Sequence, residues 1–500
     1  MIRSIPAENP VLTKHLRSRL RPQHLVPLAI IVAVVCGCVV WAAIAGAGWN
    51  DEDYAKGMFR FLVFIQAVIL LLVGTYQVNS AVGNARASGM LDFHRISPQR
   101  PDVLTVGFLL GGAIREWILF AVTIPFSGAL AALAGVGPTA WVLVIVQIAV
   151  AGLLYHAAGL VAGLVFSEGR GGAVLIIVLL VVLSMVGALR PVTYLTIYPA
   201  VMAAMGGESF SRAVHGFYGV ISSPVLISML HQIPLLLFLL IAAERKMRHD
   251  LTFAYSKPLS VAFFAVIAAI ALGDAVRLPG AQMGYDMLNL NVGAPALCYA
   301  LALAGGLLAL AVTPGAGDFV KGLRHARKLG WSRVPLWSDL AVNWAPLLSY
   351  GFVFMLTAAA GVFLLSKVEA DSQKLLFASA TGACTVLYFG AAKQSFDLVF
   401  RKHARVYLVL LLFFLWGVPL LLGMLLSFAS RNGPEGAIPQ AFFAISPLSG
   451  IGLIFGQDNY HRGMLNTWIA LSSAALLAMC FLALSVLAAH QAKEAAEGTT

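Results

Sequence analysis

Residues Asn84 to Pro98 read NARASGMLDFHRISP, a polar and basic stretch set between two long apolar runs, near 58 to 82 and 116 to 135. That contrast decides the class of the chain. A bilayer core takes about 20 consecutive apolar residues to cross as a helix, because every backbone amide must be satisfied within the segment. Working outward from Asn84, further runs of that kind lie near 26 to 48, 139 to 166, 172 to 190, 223 to 243, 258 to 276, 292 to 313, 343 to 366, 375 to 392, 406 to 429 and 465 to 489. The composition agrees, at 60% hydrophobic and 11% charged, where a soluble protein carries about 25% charged residues. The predicted fold is all-α, a polytopic transmembrane helical bundle of about twelve spans.

The first run, Val26 to Trp49, follows a basic arm in the manner of a signal peptide. Its apolar part is far longer than the usual h-region of about 7 to 15 residues, so an uncleaved anchor is expected. The five cysteines (Cys36, Cys38, Cys298, Cys384, Cys480) all fall in apolar runs without zinc or haem spacing and read as buried, reduced packing residues.

Alternate loops differ in basic charge. With a cytoplasmic N-terminus, the loops on that side hold 23 of the 33 Lys and Arg, and the opposite loops hold nine. The positive-inside rule then puts both termini in the cytoplasm and requires an even number of spans. The net charge of +11 is thereby a topology signal. Nucleic-acid binding would need those charges gathered on a soluble face with aromatics between them, and the chain has no such face.

The spans divide into two halves of six, 1–243 and 244–500, at the basic segment Glu244 to Pro258. Near the end of each half an aromatic pair precedes Ile-Ser-Pro: Phe217, Tyr218 and Ile221 to Pro224, then Phe442, Phe443 and Ile445 to Pro447. Leu154-Tyr155 and Leu387-Tyr388 recur likewise. The offsets of 223 to 234 residues suggest a duplicated six-span unit and a fused pseudo-dimer.

The arm NPVLTKHLRSRLRP puts Leu12, Leu16 and Leu20 on one helical stripe with basic residues around it. Such a helix is expected to lie in the membrane interface, leucines toward lipid tails and cations toward anionic headgroups. Beyond Pro101 a continuous helical pattern runs from Asp102 to about Gly135, too long for one crossing. Arg115 and Glu116 then belong near the interface as a salt-bridged pair, with substrate contact or gating as the other role for them. His156 and His231 lie within apolar runs, where an ionisable group is a functional candidate; a neutral histidine hydrogen-bonded between helices is the plainer reading. Asp51, Glu52 and Asp53 on the outer side could bind a cation weakly, and read first as solvated acids of a short exposed loop. Lys393, Asp397 and Arg401, spaced four apart, read as ion pairing at a helix end. The apolar outer segments Arg190 to Ser222 and Ser430 to Asn466 suggest short helices dipping into the outer leaflet.

The run Gly89, Met90, Leu91, Asp92, Phe93, then Ile96, Ser97, Pro98, followed by a helix with Arg115, Glu116 and Ile124 to Phe126, resembles membrane permeases of the type-2 ABC exporter class. Asn9 to Leu12 with its Arg-rich continuation is similar to that family's N-terminal elbow. The resemblance is best over residues 9 to 135. His15 stands where the family often has an acid, and no glutamate precedes Gly89. The resemblance implies a coupling segment at Gly89 to Pro98 and one or more ATP-binding cassette ATPase subunits as partners. It also implies ATP on the partner and no cofactor here, outward transport, and a bacterial cytoplasmic (inner) membrane.

The physical logic stands beside it. The chain carries no G-x-x-x-x-G-K-[ST], so ATP energy would arrive through a partner that binds two conformations unequally. Met90 and Phe93 are expected to form an apolar knob for that partner, with Asp92 and Arg95 setting register at its rim. The corresponding loop of the second half, Gly317 to Trp344, lacks the Gly-x-Leu-Asp pattern; its Lys and Arg read first as positive-inside charge and second as a further docking surface. Two other classes compete: a stand-alone secondary transporter, which would want several buried carboxylates or broken helices at the midplane, and an integral-membrane lipid-modifying enzyme, which would want convergent acids or histidines at one membrane face. The chain is expected to do no chemistry itself. Its partners would be the ATPase, membrane lipids and a substrate that the sequence does not name.

Overall fold

The structure is a computed structural model that describes residues 9–47, 52–97, 99–165, 193–204, 217–218, 223–248, 253–275, 290–365, 369–400, 403–429, 437–455 and 460–497. The elements among these residues are helices. Ten are long and apolar enough to cross a membrane, or eleven if a bent pair, Leu297–Val312 with Ala316–Lys328, is one span. The chain is thus a multi-pass helical membrane protein by length and composition. The run expected at 172 to 190 lies outside the described residues.

Two compact units divide after Ala254. The first contains α1 (Pro10–Arg19), α2 (Pro22–Ala47) and a long helix formed by α3 (Glu52–Ala67), a wide π-turn (Val68–Val73) and α4 (Gly74–Ala87). It continues with α5 (Met90–Ile96), α6 (Pro101–Gly112), α7 (Ile114–Leu133), α8 (Pro138–Val165), α9 (Tyr198–Ala204) and α10 (Pro224–Arg248). The boundary read at residue 243 falls inside α10. The second unit contains α11 (Lys257–Ala275), α12 (Leu290–Val312), α13 (Ala316–Lys328), α14 (Trp344–Leu365) and α15 (Glu369–Phe400). Then come α16 (Ala404–Leu412), a second π-turn (Phe413–Gly417), α17 (Val418–Ala429), α18 (Ala437–Ile445), α19 (Pro447–Phe455) and α20 (Tyr460–Glu497).

Local chemistry sets the helix ends. Asn9 caps α1 by accepting from the Leu12 amide at 3.0 Å, and Pro10 at the first helical position gives up an amide that would have no partner there. Pro101 and Pro138 open α6 and α8 in the same way.

Four expectations are corrected. The helix read as continuous from Asp102 to Gly135 is two helices, broken at Ala113, whose φ of −115° and ψ of 16° leave the helical region. The reason is the Gly111-Gly112 pair, weak helix formers that precede the break, with Gly112 so close to the α4 backbone that an added Cβ would stand 3.0 Å from the Val78 Cα. The leucine stripe of α1 does not simply face lipid. Val11 and Leu12 are buried in the protein, because Gly107 and Gly111 of α6 leave a seat for the arm: an added Cβ there would meet Asn9 Oδ1 at 2.7 Å and His15 Cβ at 2.9 Å. Cys38 and Cys480 are exposed on their helices, where an apolar thiol suits an outer face as well as a core. Finally, Pro224 opens the long α10, whereas Pro447 opens the nine-residue α19 ahead of α20, so the two Ile-Ser-Pro signals begin unlike elements. The described parts of Arg190 to Ser222 and Ser430 to Asn466 include the short helices α9, α18 and α19, and the second segment runs on into the long α20.

Candidate functional site

The Asn84–Ser97 stretch is a helical corner. The last turn of α4 ends with the Ser88 amide on the Asn84 carbonyl at 3.0 Å and the Gly89 amide on that of Arg86 at 3.1 Å. Gly89 then takes φ 72°, the left-handed conformation that glycine adopts without penalty, and the chain re-enters a helix at Met90. Asp92 falls in the first turn of α5, where the helix dipole favours an acid, and His94 and Arg95 fall in its last.

The faces of α5 differ sharply. Leu91 is fully buried in a cluster with Val11, Val78, Val82, Leu104, Phe108 and Met247, so it anchors α5 to α1, α4, α6 and α10 together. Phe93 is 65% exposed and Ile96 84%, while Met90 is about at the margin of exposure and receives the Lys14 ammonium at 2.8 Å from its sulfur. The outward knob is therefore Phe93 with Ile96, one turn on. Arg95 does not stand at the rim: its side chain is mostly buried, with Nη1 on Asp92 Oδ1 at 2.6 Å and Nη2 donating to the Lys246 carbonyl at 3.0 Å. Asp92 is exposed and Arg95 is a strut tying α5 to the end of α10. Pro98 lies outside the described residues.

An aromatic chain links this corner to the arm. The rings of His15 and His94 each meet the edge or face of Phe108, at 5.8 and 6.4 Å between centroids, and Phe93 stands against His94 at 6.1 Å. Burial pushes the His15 imidazole down to about 4, with Arg19 and then Lys14 adding to the shift. His94 is lowered too, by burial first and Lys14 second, against a raising hydrogen bond from Gln99. Asn9 completes the attachment by donating to the Val103 carbonyl at 2.7 Å.

Arg115 and Glu116 occupy the first turn of α7, directly after the break. Glu116 is 0% exposed; its Oε1 accepts from Arg115 Nε at 3.0 Å and Nη2 at 2.7 Å, and its Oε2 is buried without a donor. Arg19, at the end of the arm, donates to Gln77 Oε1 at 2.9 Å; its guanidinium is lowered by burial, raised by Glu116 and lowered by Arg115, which places all three in one field. Next along α7, Trp117 packs edge-on to His156 at 5.8 Å. His156 Nε2 donates to the Leu70 carbonyl at 2.8 Å, a carbonyl that the π-turn turns aside from the regular ladder. Gly74 permits this, since a Cβ there would overlap the imidazole. His231 instead bonds within its own helix, Nδ1 to the Ile227 carbonyl at 2.8 Å, and stacks near Tyr194 at 5.0 Å.

In the second unit Lys393 pairs with Asp397 on α15; Arg401 lies outside the described residues. Of the acids Asp51, Glu52 and Asp53, Asp53 is exposed with Lys56 at 3.4 Å, and the side chains of the other two lie outside the described residues. No group of three His, Cys, Asp or Glu among the described residues could hold a metal. Three features escaped the sequence. Ile96 could have been found from its three-residue spacing beyond Phe93. Gln66 on Thr123 and Ser127, at 2.9 and 3.1 Å, gave no signal beyond being polar in an apolar run. Lys257 looked like one more positive-inside charge, yet it is fully buried and donates to the Ala341 and Val342 carbonyls at 2.6 and 3.0 Å.

Comparison with known protein families, with curated proteins and with solved structures finds no match to this chain.

Proposed function

We propose that the chain is the membrane-spanning permease subunit of an ABC exporter in a bacterial cytoplasmic membrane, driven by a separate ATP-binding cassette ATPase that docks on α5. The observation that carries the reading is the construction of α5: a helix of seven residues, held from beneath by Leu91 and Arg95, that offers Phe93 and Ile96 outward. Burying an apolar knob of this kind is a common source of binding energy, and a rigid mount lets a partner's movement reach α4 and α10 without being lost in a soft loop. The arm α1, held to α6 through Asn9 and to α5 through Lys14, would brace the docking corner.

The test is co-purification with an ATP-binding cassette ATPase co-expressed with this chain. Phe93→Ala with Ile96→Ala should lower the bound ATPase about tenfold or more while the permease remains folded and membrane-inserted. Full retention of the ATPase by the folded double variant would overturn the reading.

A stand-alone secondary transporter is the second reading, and Glu116 favours it: a fully buried carboxylate with one oxygen lacking a donor is a group that could take a proton or cation. Transport into vesicles under an ion gradient without ATP, abolished by Glu116→Gln, would establish that reading against the first.

A further inference from the structure

The corner after α12 shows a second outward surface of different chemistry. Pro314 interrupts the helix, and α13 leaves α12 at 60°. Phe319, Gly322 and Ala326, on one face of α13, are buried, and Gly322 lies so close to the returning chain that an added Cβ would stand 2.8 Å from the Leu340 Cβ. The helix then ends in a Schellman motif: Gly330 takes φ 72°, its amide bonds the Arg327 carbonyl at 2.9 Å, and the Trp331 amide bonds that of Ala326 at 2.9 Å. A turn closes Ser338 on Pro335 at 2.9 Å, and Lys257 clamps Ala341 and Val342. The segment is braced from both ends.

Braced though it is, it leaves large apolar side chains outside. Leu329 and Trp331 are each 49% exposed, Leu336 55% and Trp337 46%. Arg324, Lys328 and Arg333 stand exposed among them, and the nearest acid on the helix, Asp318, already pairs with Lys321 at 3.2 Å. Tryptophan, leucine and arginine together suit a layer that is apolar on one side and anionic and wet on the other.

The geometry puts the segment at that layer. With α12 along the membrane normal, α13 lies nearer the membrane plane than the normal; its 13 residues span about 20 Å at 1.5 Å each. At 60° that helix moves away from the end of the span by only about 10 Å, comparable with a headgroup layer of roughly 5 to 8 Å on each side of the hydrocarbon. We propose that Ala316 to Trp337 is an interfacial anchor that sets Leu329, Trp331, Leu336 and Trp337 into the headgroup region and binds anionic phospholipid through Arg324, Lys328 and Arg333. The anchor needs α12 to span the membrane and is independent of any ATPase.

The test uses the full chain in mixed phosphatidylcholine–phosphatidylglycerol vesicles whose acyl chains carry bromine near the headgroup, on one lipid or the other. The emission lost in Trp331→Phe with Trp337→Phe reports the two tryptophans. That component should be quenched by brominated lipid, more when bromine is on phosphatidylglycerol. Arg324→Gln, Lys328→Gln and Arg333→Gln together should remove the preference for phosphatidylglycerol severalfold while quenching persists, and added salt should erode the same preference in the unaltered chain. Quenching by aqueous iodide but by neither lipid would overturn the anchor, as would shielding that arises only when a soluble protein is added. Equal quenching by both lipids, unchanged in the triple variant and in salt, would overturn the anionic recognition.

Discussion

The corners at Gly89 and Gly330 solve one backbone problem and present opposite chemistry. Each turns through a left-handed glycine at φ 72°, each seats one helical face on its own unit, and in each a buried cation grips backbone carbonyls, Arg95 on Lys246 in the first and Lys257 on Ala341 and Val342 in the second. Outward, α5 offers Phe93 and Ile96 beside a paired Asp92, a small knob of little net charge. The α13 corner offers two tryptophans and two leucines among the exposed cations Arg324, Lys328 and Arg333. The backbone solution therefore does not specify the partner; the exposed side chains do, and a knob fits a groove in a protein where a basic aromatic face fits a lipid surface.

The strongest way to break the comparison is to remove the cations. Lys257→Met keeps the packing but leaves two buried carbonyls without donors, at about 1–3 kcal/mol each, so thermal unfolding of the detergent-purified protein should show a loss of about 2–6 kcal/mol. Arg95→Met orphans one carbonyl and should cost about half of that. Equal losses would mean that the two grips are not built alike in energy.

Leu91→Ala comes next. It removes a fully buried side chain from the cluster shared by α1, α4, α5, α6 and α10, at about 2–5 kcal/mol. The same unfolding measurement should show it, and α5 should gain protease sensitivity. A loss below about 1 kcal/mol would show that α5 collapses onto the cavity and is less rigidly mounted than its contacts indicate.

How much of this was legible in the sequence follows from the physics of each signal. Apolar length is a local property, so the ten long apolar helices among the described residues and the polar corner could be read directly, each helix falling on one of the twelve runs expected. Gly89 was legible as part of a pattern, though its left-handed φ was not, and the sequence paired Met90 with Phe93 where the more exposed apolar side chains of α5 are Phe93 and Ile96. What failed depended on contacts distant in sequence. Arg95 is a strut only because Lys246 ends beside it, 151 residues away, and Leu12 is buried only because Gly107 and Gly111 leave a seat for the arm. The break at Ala113 escaped because a helical hydrophobic pattern continues through it; periodicity records which face is apolar and not whether the axis bends. Lys257 escaped because charge counting treats every cation alike.

The glycines offer a finer comparison. At both Gly89 and Gly330 a Cβ would enter open space, so alanine should cost only the backbone penalty of the left-handed region, about 1–2 kcal/mol, and nearly the same at the two corners. A much larger loss at one of them, measured as a fall in the unfolding midpoint, would reveal a crowding that the static corner does not contain.

Acid should separate the corners most gently. His15 and His94 belong to the first alone, and both are held below the ordinary histidine range of about 6.5, His15 to about 4. Above pH of about 6.5 both imidazoles are neutral whether α1 is docked or released, and nothing changes. As pH falls from there toward about 4, the released arm takes up a proton that the docked arm resists, so docking weakens through that window and levels off below it. The unfolding midpoint of the purified chain should therefore decline over this range more steeply than that of His15→Gln, whose side chain cannot titrate. The α13 corner has no such pair of buried imidazoles among its described residues, since His325 is exposed. Its lipid contact should accordingly keep its preference for phosphatidylglycerol through the same window, and a parallel loss at both corners would trace the acid effect to something other than the seat of His15 on Phe108.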